Sequence, residues 1–131
     1  MSIEANKAVV RRFWEEGWNG QNPARFDELM DARYAAVEKP WAAEVWAAYP
    51  DSRFAVEELI AEGDKVVSRF TWSGTQRGEF WGVPPTGKRM TVAGIWIHRV
   101  VDGRITWEGR FGQVDWLGWR RQIGLLPVEE A

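Results

Sequence analysis

The amino-acid sequence predicts an α+β fold in which N-terminal helices pack on one face of a curved antiparallel sheet. Three observations support this fold class. Helical spacing of apolar residues dominates the first half of the chain, β-branched and aromatic runs dominate the second half, and short turns join those runs. A curved sheet covered by helices leaves a concave interior, where ligand pockets form. We expect a single domain over residues 1–131, because this length suffices for one core.

Two helices are predicted at the start of the chain. Apolar residues recur at helical spacing over residues 3–18, with Ser2 as the N-cap and an Asn-Gly pair at the end. A second, shorter helix is predicted over residues 23–30. It opens with Pro23, and proline is favoured in the first turn of a helix.

The next segment is predicted to change from strand to helix. Residues 33–38 have the pattern of a short strand that ends at Pro40. Residues 41–49 are rich in alanine and are predicted to form a third helix, which Pro50 terminates.

Four antiparallel strands are predicted in the remainder of the chain, over residues 54–61, 65–74, 88–101 and 104–114. Asp102 and Gly103 form a hairpin turn signal between the last two strands. Prolines and glycines over residues 78–87 predict a loop, and residues 115–123 predict a terminal helical turn or two.

Composition excludes several classes of function. The net charge is −2 and both signs are mixed along the chain, so we expect no nucleic-acid partner and no membrane partner. The chain has no cysteine, which excludes disulfides and thiolate chemistry. Since the N-terminus has no apolar run typical of a signal peptide, we expect a cytoplasmic protein.

Ten tryptophans are far more than a core of this size needs. They indicate either a core with a subunit interface or an aromatic-lined cavity, and the two interpretations are compatible.

Several segments together carry a family resemblance. The runs AEGDKVV, SGT followed by GEFWGVPPTGK, IHRVVDGRI, NKAVVRRFWEEGWNG and AAYPDSRF cover most of the chain. In these runs the chain resembles the SnoaL-like polyketide cyclase family, within the nuclear-transport-factor-type cone fold. The resemblance implies a cone-shaped sheet with the N-terminal helices on its concave face. Family members include aldol cyclases, isomerases, hydrolases and binding proteins, so the fold alone fixes no reaction.

The sequence departs from its relatives at two functional positions. Glu38-Lys39-Pro40 stands where the family usually has an acidic or His-Asp pair, and where the related ketosteroid isomerases place their aspartate base. Trp96 stands where those isomerases have the acid that stabilises an oxyanion. The resemblance therefore excludes a faithful ketosteroid isomerase.

His98, the only histidine, is the first catalytic candidate. Alternation along its strand places it on one face with Val92, Gly94 and Trp96, and in the resembling enzymes this face lines the cavity. A neutral imidazole can move a proton near neutral pH. The alternative is a hydrogen-bonded core histidine.

A carboxylate is the second catalytic candidate. Glu108 alternates with Arg110 on the strand paired with that of His98, so the two side chains are expected to be close. The resembling cyclases use a carboxylate near the end of this strand, and Asp115 is the second choice for it. A carboxylate among tryptophans would have a raised pKa suited to acid-base catalysis. The alternative for Glu108 is an ion pair.

Substrate binding is assigned mainly to aromatic side chains, and Trp96 would donate its N–H to a substrate oxygen. Lys39 could be a desolvated base, although most lysines lie at the surface. No ligand set for a metal and no cofactor motif is present. The candidate binding residues are Trp14, Trp18, Trp41, Trp72, Trp81, Trp96, Lys39 and Arg110.

The leading hypothesis is a cofactor-independent cyclase or isomerase that moves a proton next to a carbonyl of an aromatic or polycyclic apolar substrate. The alternatives are a non-catalytic domain that binds aromatic ligands and an epoxide-hydrolase-like enzyme, for which Arg110 with Glu108 and Asp115 only loosely provides the groups. Apolar residues on both faces of the strands, such as Ile95 and Phe111, predict a homodimer through the outer sheet face.

Overall fold

The computed structural model describes residues 2–125 and confirms the α+β fold. Four helices cover the concave side of a curved four-stranded antiparallel sheet, whose strand order is β1-β2-β3-β4. The elements are α1 (Ile3–Arg12), which continues as a π-helix (Phe13–Trp18), α2 (Pro23–Leu29), α3 (Ala32–Ala48), β1 (Arg53–Glu62), β2 (Lys65–Thr75), β3 (Arg89–Val101), β4 (Arg104–Val114) and α4 (Trp116–Gln122).

The predicted first helix is confirmed, but its last six residues form a π-helix. The Ser2 hydroxyl caps its start by accepting from the backbone N–H of Ala5. In the π-helix the backbone N–H of Asn19 donates to the carbonyl of Trp14 over 2.9 Å. Wider turns of this kind are frequent at functional sites. This one buries both Trp14 and Trp18 under the sheet.

The predicted strand over residues 33–38 is wrong, because these residues belong to the single helix α3. The Asp31 carboxylate caps the helix by accepting from the backbone N–H of Tyr34 over 2.8 Å. Pro40 lies inside the helix and removes one backbone hydrogen bond. The alanine-rich sequence and the packing of a buried face sustain the helix past it. As a consequence, Glu38 lies on a buried helical face rather than on a strand.

The four predicted strands are confirmed, and the sheet has two irregularities. The first is a bulge in β1 between Val56 and Glu58. The second lies between β3 and β4, where Ile97 pairs with Phe111 but Arg99 pairs with Thr106. Four residues of β4 thus stand opposite one residue of β3. Bulges bend strands and redirect side chains, and they recur beside active sites.

The loop between β2 and β3 and the terminal helix close one end of the sheet. The buried side-chain amide of Gln76 donates to three loop carbonyls and accepts from the hydroxyl of Thr86. Trp119 of α4 is buried and donates its indole N–H to the Tyr49 hydroxyl over 2.6 Å. Among residues 2–125, no helix combines the length and the apolar character that crossing a bilayer requires.

Candidate active site

A cavity of about 340 Å³ lies between the π-helix, α3 and the inner face of the sheet. Its wall is predominantly aromatic. The chain makes room for large rings by placing glycines on the inner face, as at Gly112, where a Cβ would come within 2.2 Å of the Trp96 ring. The tryptophans that line the cavity are Trp14, Trp18, Trp41, Trp72, Trp96, Trp107 and Trp116.

Glu38 is the carboxylate of this cavity. Its side chain points from α3 into the cavity wall, and the residue is 9% exposed. The indole N–H of Trp18 donates to its Oε2 over 2.9 Å. Desolvation by burial raises the pKa of Glu38 to about 7, although the Trp18 hydrogen bond and the charge of Arg110 act in the opposite direction. Near neutral pH the carboxyl group is therefore divided between its acid and base forms.

Arg110 supplies the positive charge of the cavity wall. Its Nη1 donates to the backbone carbonyl of Trp107 over 2.8 Å. The guanidinium carbon lies 3.1 Å from the centre of the Trp107 ring and 5.5 Å from that of Tyr34. Within residues 2–125, no carboxylate oxygen comes within 4.0 Å of this guanidinium. Arg110 is thus held in position by aromatic rings and a carbonyl, without an ion-pair partner in that part of the chain.

His98 and Tyr34 form a buried polar pair at the cavity wall, with 3.3 Å between the His98 Nε2 and the Tyr34 hydroxyl. Burial lowers the pKa of His98 to about 3, so its ring is neutral at physiological pH. Burial also raises the pKa of the Tyr34 hydroxyl, which keeps its proton. A neutral imidazole and a protonated phenol can orient each other and donate hydrogen bonds. The ring of Trp96 stacks on that of His98, with 5.6 Å between their centres.

The structure brings seven of the sequence-predicted site residues to the cavity. These residues lie on five different elements, which meet only in the folded chain. They are His98, Trp96, Trp14, Trp18, Trp41, Trp72 and Arg110.

Glu108 does not reach the cavity, although alternation along β4 predicted that it lies near His98. Its side chain is 76% exposed, and a carboxylate oxygen lies 3.5 Å from Nη1 of Arg33. The physical reason is the irregular pairing opposite His98, in which Gly109 adopts a left-handed φ of 80°. The strict alternation of faces fails across such a bulge.

Asp115, Lys39 and Trp81 also lie outside the cavity wall. The Asp115 carboxylate caps α4 by accepting from the backbone N–H of Gly118 over 2.8 Å. The ammonium group of Lys39 pairs with Asp27 over 2.9 Å on the surface.

Trp81 is 52% exposed and packs against two tryptophans of the cavity wall. Its ring centre lies 5.7 Å from that of Trp41 and 4.5 Å from that of Trp116. Trp81 belongs to the loop between β2 and β3 and packs on the outer side of the cavity wall.

Sequence reasoning missed Glu38, Tyr34 and Trp107 as cavity residues. A prediction of one continuous helix over residues 32–48 would have placed Tyr34 and Glu38 together on its buried face. Tyr34 and Glu38 are four residues apart, and Ala42 and Val45 continue the same buried face.

Comparison with known proteins identifies the family. The profile of the SnoaL-like polyketide cyclases matches residues 8–123. TsrD from Streptomyces laurentii has a similar structure, with a TM-score of 0.88, 25% identity, and coverage of 96% of this chain and 99% of TsrD. A provisional SnoaL-like polyketide cyclase from Jannaschia sp. CCS1 has a TM-score of 0.82 and 25% identity, with 97% of each chain covered.

A SnoaL-like polyketide cyclase from Agrobacterium tumefaciens shares the fold at 17% identity, with a TM-score of 0.77 over 95% of this chain and 100% of that chain. No curated protein sequence matches this chain significantly. Because the family profile spans most of its length, the chain belongs to the SnoaL-like polyketide cyclase family.

Proposed function

We propose that this protein is a cofactor-independent enzyme in which Glu38 removes a proton from a carbon next to a carbonyl of an aromatic or polycyclic substrate. Family membership supports a general cyclase- or isomerase-type role on small molecules. The single observation that carries the finer proposal is a carboxylate buried in an aromatic cavity, with a pKa of about 7. General bases are most effective when their pKa lies near the working pH.

The proton transfer uses groups that the cavity already holds. The ionised Glu38 accepts a proton from the substrate carbon, and the electrons of the C–H bond move to the carbonyl oxygen to form an enolate. In an isomerisation, protonated Glu38 returns the proton to another carbon. In a cyclisation, the enolate carbon attacks a second carbonyl, and the resulting alkoxide takes the proton from Glu38.

Three neutral or cationic donors in the wall can stabilise the enolate oxygen. The indole N–H of Trp96 has no hydrogen-bond partner within residues 2–125, the hydroxyl of Tyr34 is oriented by His98, and Arg110 provides charge. His98 therefore has a positioning role in this proposal, since a ring with a pKa of about 3 is a poor proton carrier at neutral pH. In this proposal Glu38 takes the role for which the sequence pattern favours Glu108 or Asp115.

The proposal is tested by proton exchange, which needs no knowledge of the natural substrate. β-Tetralone, a two-ring aromatic ketone, is incubated with the protein in deuterium oxide, and loss of its α-proton signals is followed by NMR. We expect catalysed exchange that Glu38→Gln lowers by about a hundredfold or more, because a general base contributes about 10²–10⁴ in rate. Glu108→Gln should change the rate by less than about twofold, because that side chain is exposed.

Two outcomes would contradict the proposal. Full exchange by Glu38→Gln would exclude this residue as the base. Quenching of tryptophan fluorescence by β-tetralone without exchange at any pH from 6 to 9 would instead favour a non-catalytic binding protein.

We also propose a homodimer through the outer face of the sheet. The support is one apolar row that crosses all four strands in register, formed by Ile60, Val67, Ile97 and Phe111. Ile60 and Phe111 are 54% and 58% exposed, which is unusual for large apolar side chains on an open sheet face.

Light scattering at micromolar concentration tests the dimer. The wild type should have twice the monomer mass, and Phe111→Glu should reduce it to the monomer mass because a charge would be buried in the interface. A monomeric wild type would exclude the proposed dimer.

A further inference from the structure

We infer that the substrate of this cavity is a planar aromatic molecule that carries an acidic group, and that Arg110 binds this group. The inference rests on the proposed function in taking the same cavity as the substrate site. It adds the chemical class of the substrate and the residue that selects it.

Two arginines lie over the ring of Trp107, and their surroundings differ. The guanidinium carbons of Arg33 and Arg110 lie 4.7 Å and 3.1 Å from the centre of the Trp107 ring. Arg33 has a side chain that is 65% exposed and pairs with Glu108. Arg110 lines the cavity and has no carboxylate within 4.0 Å in the described part of the chain. Within residues 2–125, the outward arginine therefore has a carboxylate partner within 4.0 Å and the inward arginine has none.

Arg110 is held in place by few contacts, and most of its N–H donors remain free for a ligand. One of its five N–H groups donates to the Trp107 carbonyl, and its guanidinium carbon lies over the rings of Trp107 and Tyr34. The remaining N–H groups can present a planar fork that matches a carboxylate or another delocalised oxyanion. A preorganised cation in an apolar wall binds an anion more strongly than a mobile one in water does.

Among residues 2–125, Arg110 is the one cationic side chain of the cavity wall. The remaining polar groups of the wall are Glu38, Tyr34, His98 and Gln113, together with the indole N–H groups, and none of them is cationic at neutral pH. The other lining side chains are predominantly aromatic and favour a flat ring system. A volume of about 340 Å³ is at the small end of ligand sites, which suits two or three fused rings.

The test compares β-naphthoate with β-naphthamide, a neutral molecule of nearly the same shape, by titration calorimetry at pH 6. We expect the carboxylate to bind at least about tenfold more tightly, because hydrogen bonds from a guanidinium to an anion are stronger than those to a neutral amide. Arg110→Gln should remove this preference by weakening the binding of the carboxylate. Arg33→Gln is the matched control and should change neither affinity.

A second readout uses pH. Ionisation of Glu38 places a like charge in the cavity, so the affinity for naphthoate should fall between pH 6 and 8, while that for naphthamide should stay constant. The other groups that face the cavity do not titrate in this range, because His98 stays neutral and Tyr34 stays protonated. In Glu38→Gln the pH dependence should vanish while the preference for the carboxylate remains.

Equal binding of the two ligands, a preference that survives Arg110→Gln, or no binding of naphthoate at millimolar concentration would each overturn the inference. Arg110→Lys serves as a second variant if Arg110→Gln fails to fold, and it should retain only part of the preference because an ammonium group lacks the planar fork. Equilibrium binding requires no turnover. A carboxylate preference without β-tetralone exchange would therefore support this inference while the proposed function fails.

Discussion

Two glutamates of this protein carry the same functional group in opposite surroundings. Glu38 on α3 is 9% exposed and accepts a hydrogen bond from Trp18. Glu108 on β4 has a side chain that is 76% exposed and pairs with Arg33 at the surface. Only Glu38 is desolvated, and desolvation raises its pKa to about 7. The reactive carboxylate is therefore determined by its surroundings. Neither residue type nor position in a strand pattern is sufficient to identify it.

The largest expected difference between the two glutamates is in the pH dependence of stability. The pKa of Glu38 rises from 4.5 in the unfolded chain to about 7 in the folded protein. The folded state therefore holds this proton more tightly, and its contribution to stability is complete below pH 4.5 and lost as pH rises through 7. The free energy of unfolding of the wild type, relative to Glu38→Gln, should fall by about 3 kcal/mol between pH 4 and 8.

Urea denaturation of both proteins at each pH measures this difference. The contribution of His98 cancels, because both proteins contain it. Glu108→Gln, compared with the wild type in the same way, should show a change below about 1 kcal/mol, as expected for an exposed ion pair. Parallel pH profiles for the wild type and Glu38→Gln would show that Glu38 is not desolvated.

A smaller effect is expected from two tryptophans that line the same cavity but differ in their hydrogen bonds. The indole N–H of Trp72 donates to the Ser52 hydroxyl over 2.9 Å, whereas that of Trp96 has no partner within residues 2–125. Trp96→Phe removes a free donor and should lower the rate of β-tetralone exchange by about tenfold, since one charge-stabilising hydrogen bond is lost. Trp72→Phe should destabilise the fold without a comparable loss of rate.

Exchange rates and urea midpoints of both variants, measured side by side, separate catalysis from stability. If Trp72→Phe lowers the exchange rate as much as Trp96→Phe does, the two indoles act only as parts of the wall. In that case the oxyanion would be stabilised by Arg110 or Tyr34 instead.

Much of the fold could be predicted from the sequence because its signals are local. The alternation of β3 placed Trp96 and His98 on the inner face, and both line the cavity. The hairpin turn at Asp102 and Gly103 joins β3 to β4 as predicted. Such patterns depend on a few neighbouring residues and survive in the tertiary structure.

The site itself could be predicted only in part, because its errors arise from non-local effects. Pro40 predicts a helix boundary, yet tertiary packing carries α3 through it and brings Glu38 to the cavity. The irregular pairing beside Gly109 depends on two strands together, so alternation along β4 alone assigned Glu108 to the wrong surroundings. The family resemblance marks the position of Glu38 as a functional one. The predicted strand over residues 33–38 gave no reason to place its side chain in the cavity.

Direct titration of Glu38 tests whether its carboxylate is desolvated in the folded protein. Carboxyl carbons of ¹³C-labelled glutamate are followed by NMR from pH 3 to 9, and Glu38→Gln identifies the signal by its loss. One glutamate signal that titrates at about pH 7 and is missing from Glu38→Gln is the predicted result. Titration of Glu38 near its ordinary value of 4.5 would contradict the desolvated base on which the proposed mechanism rests.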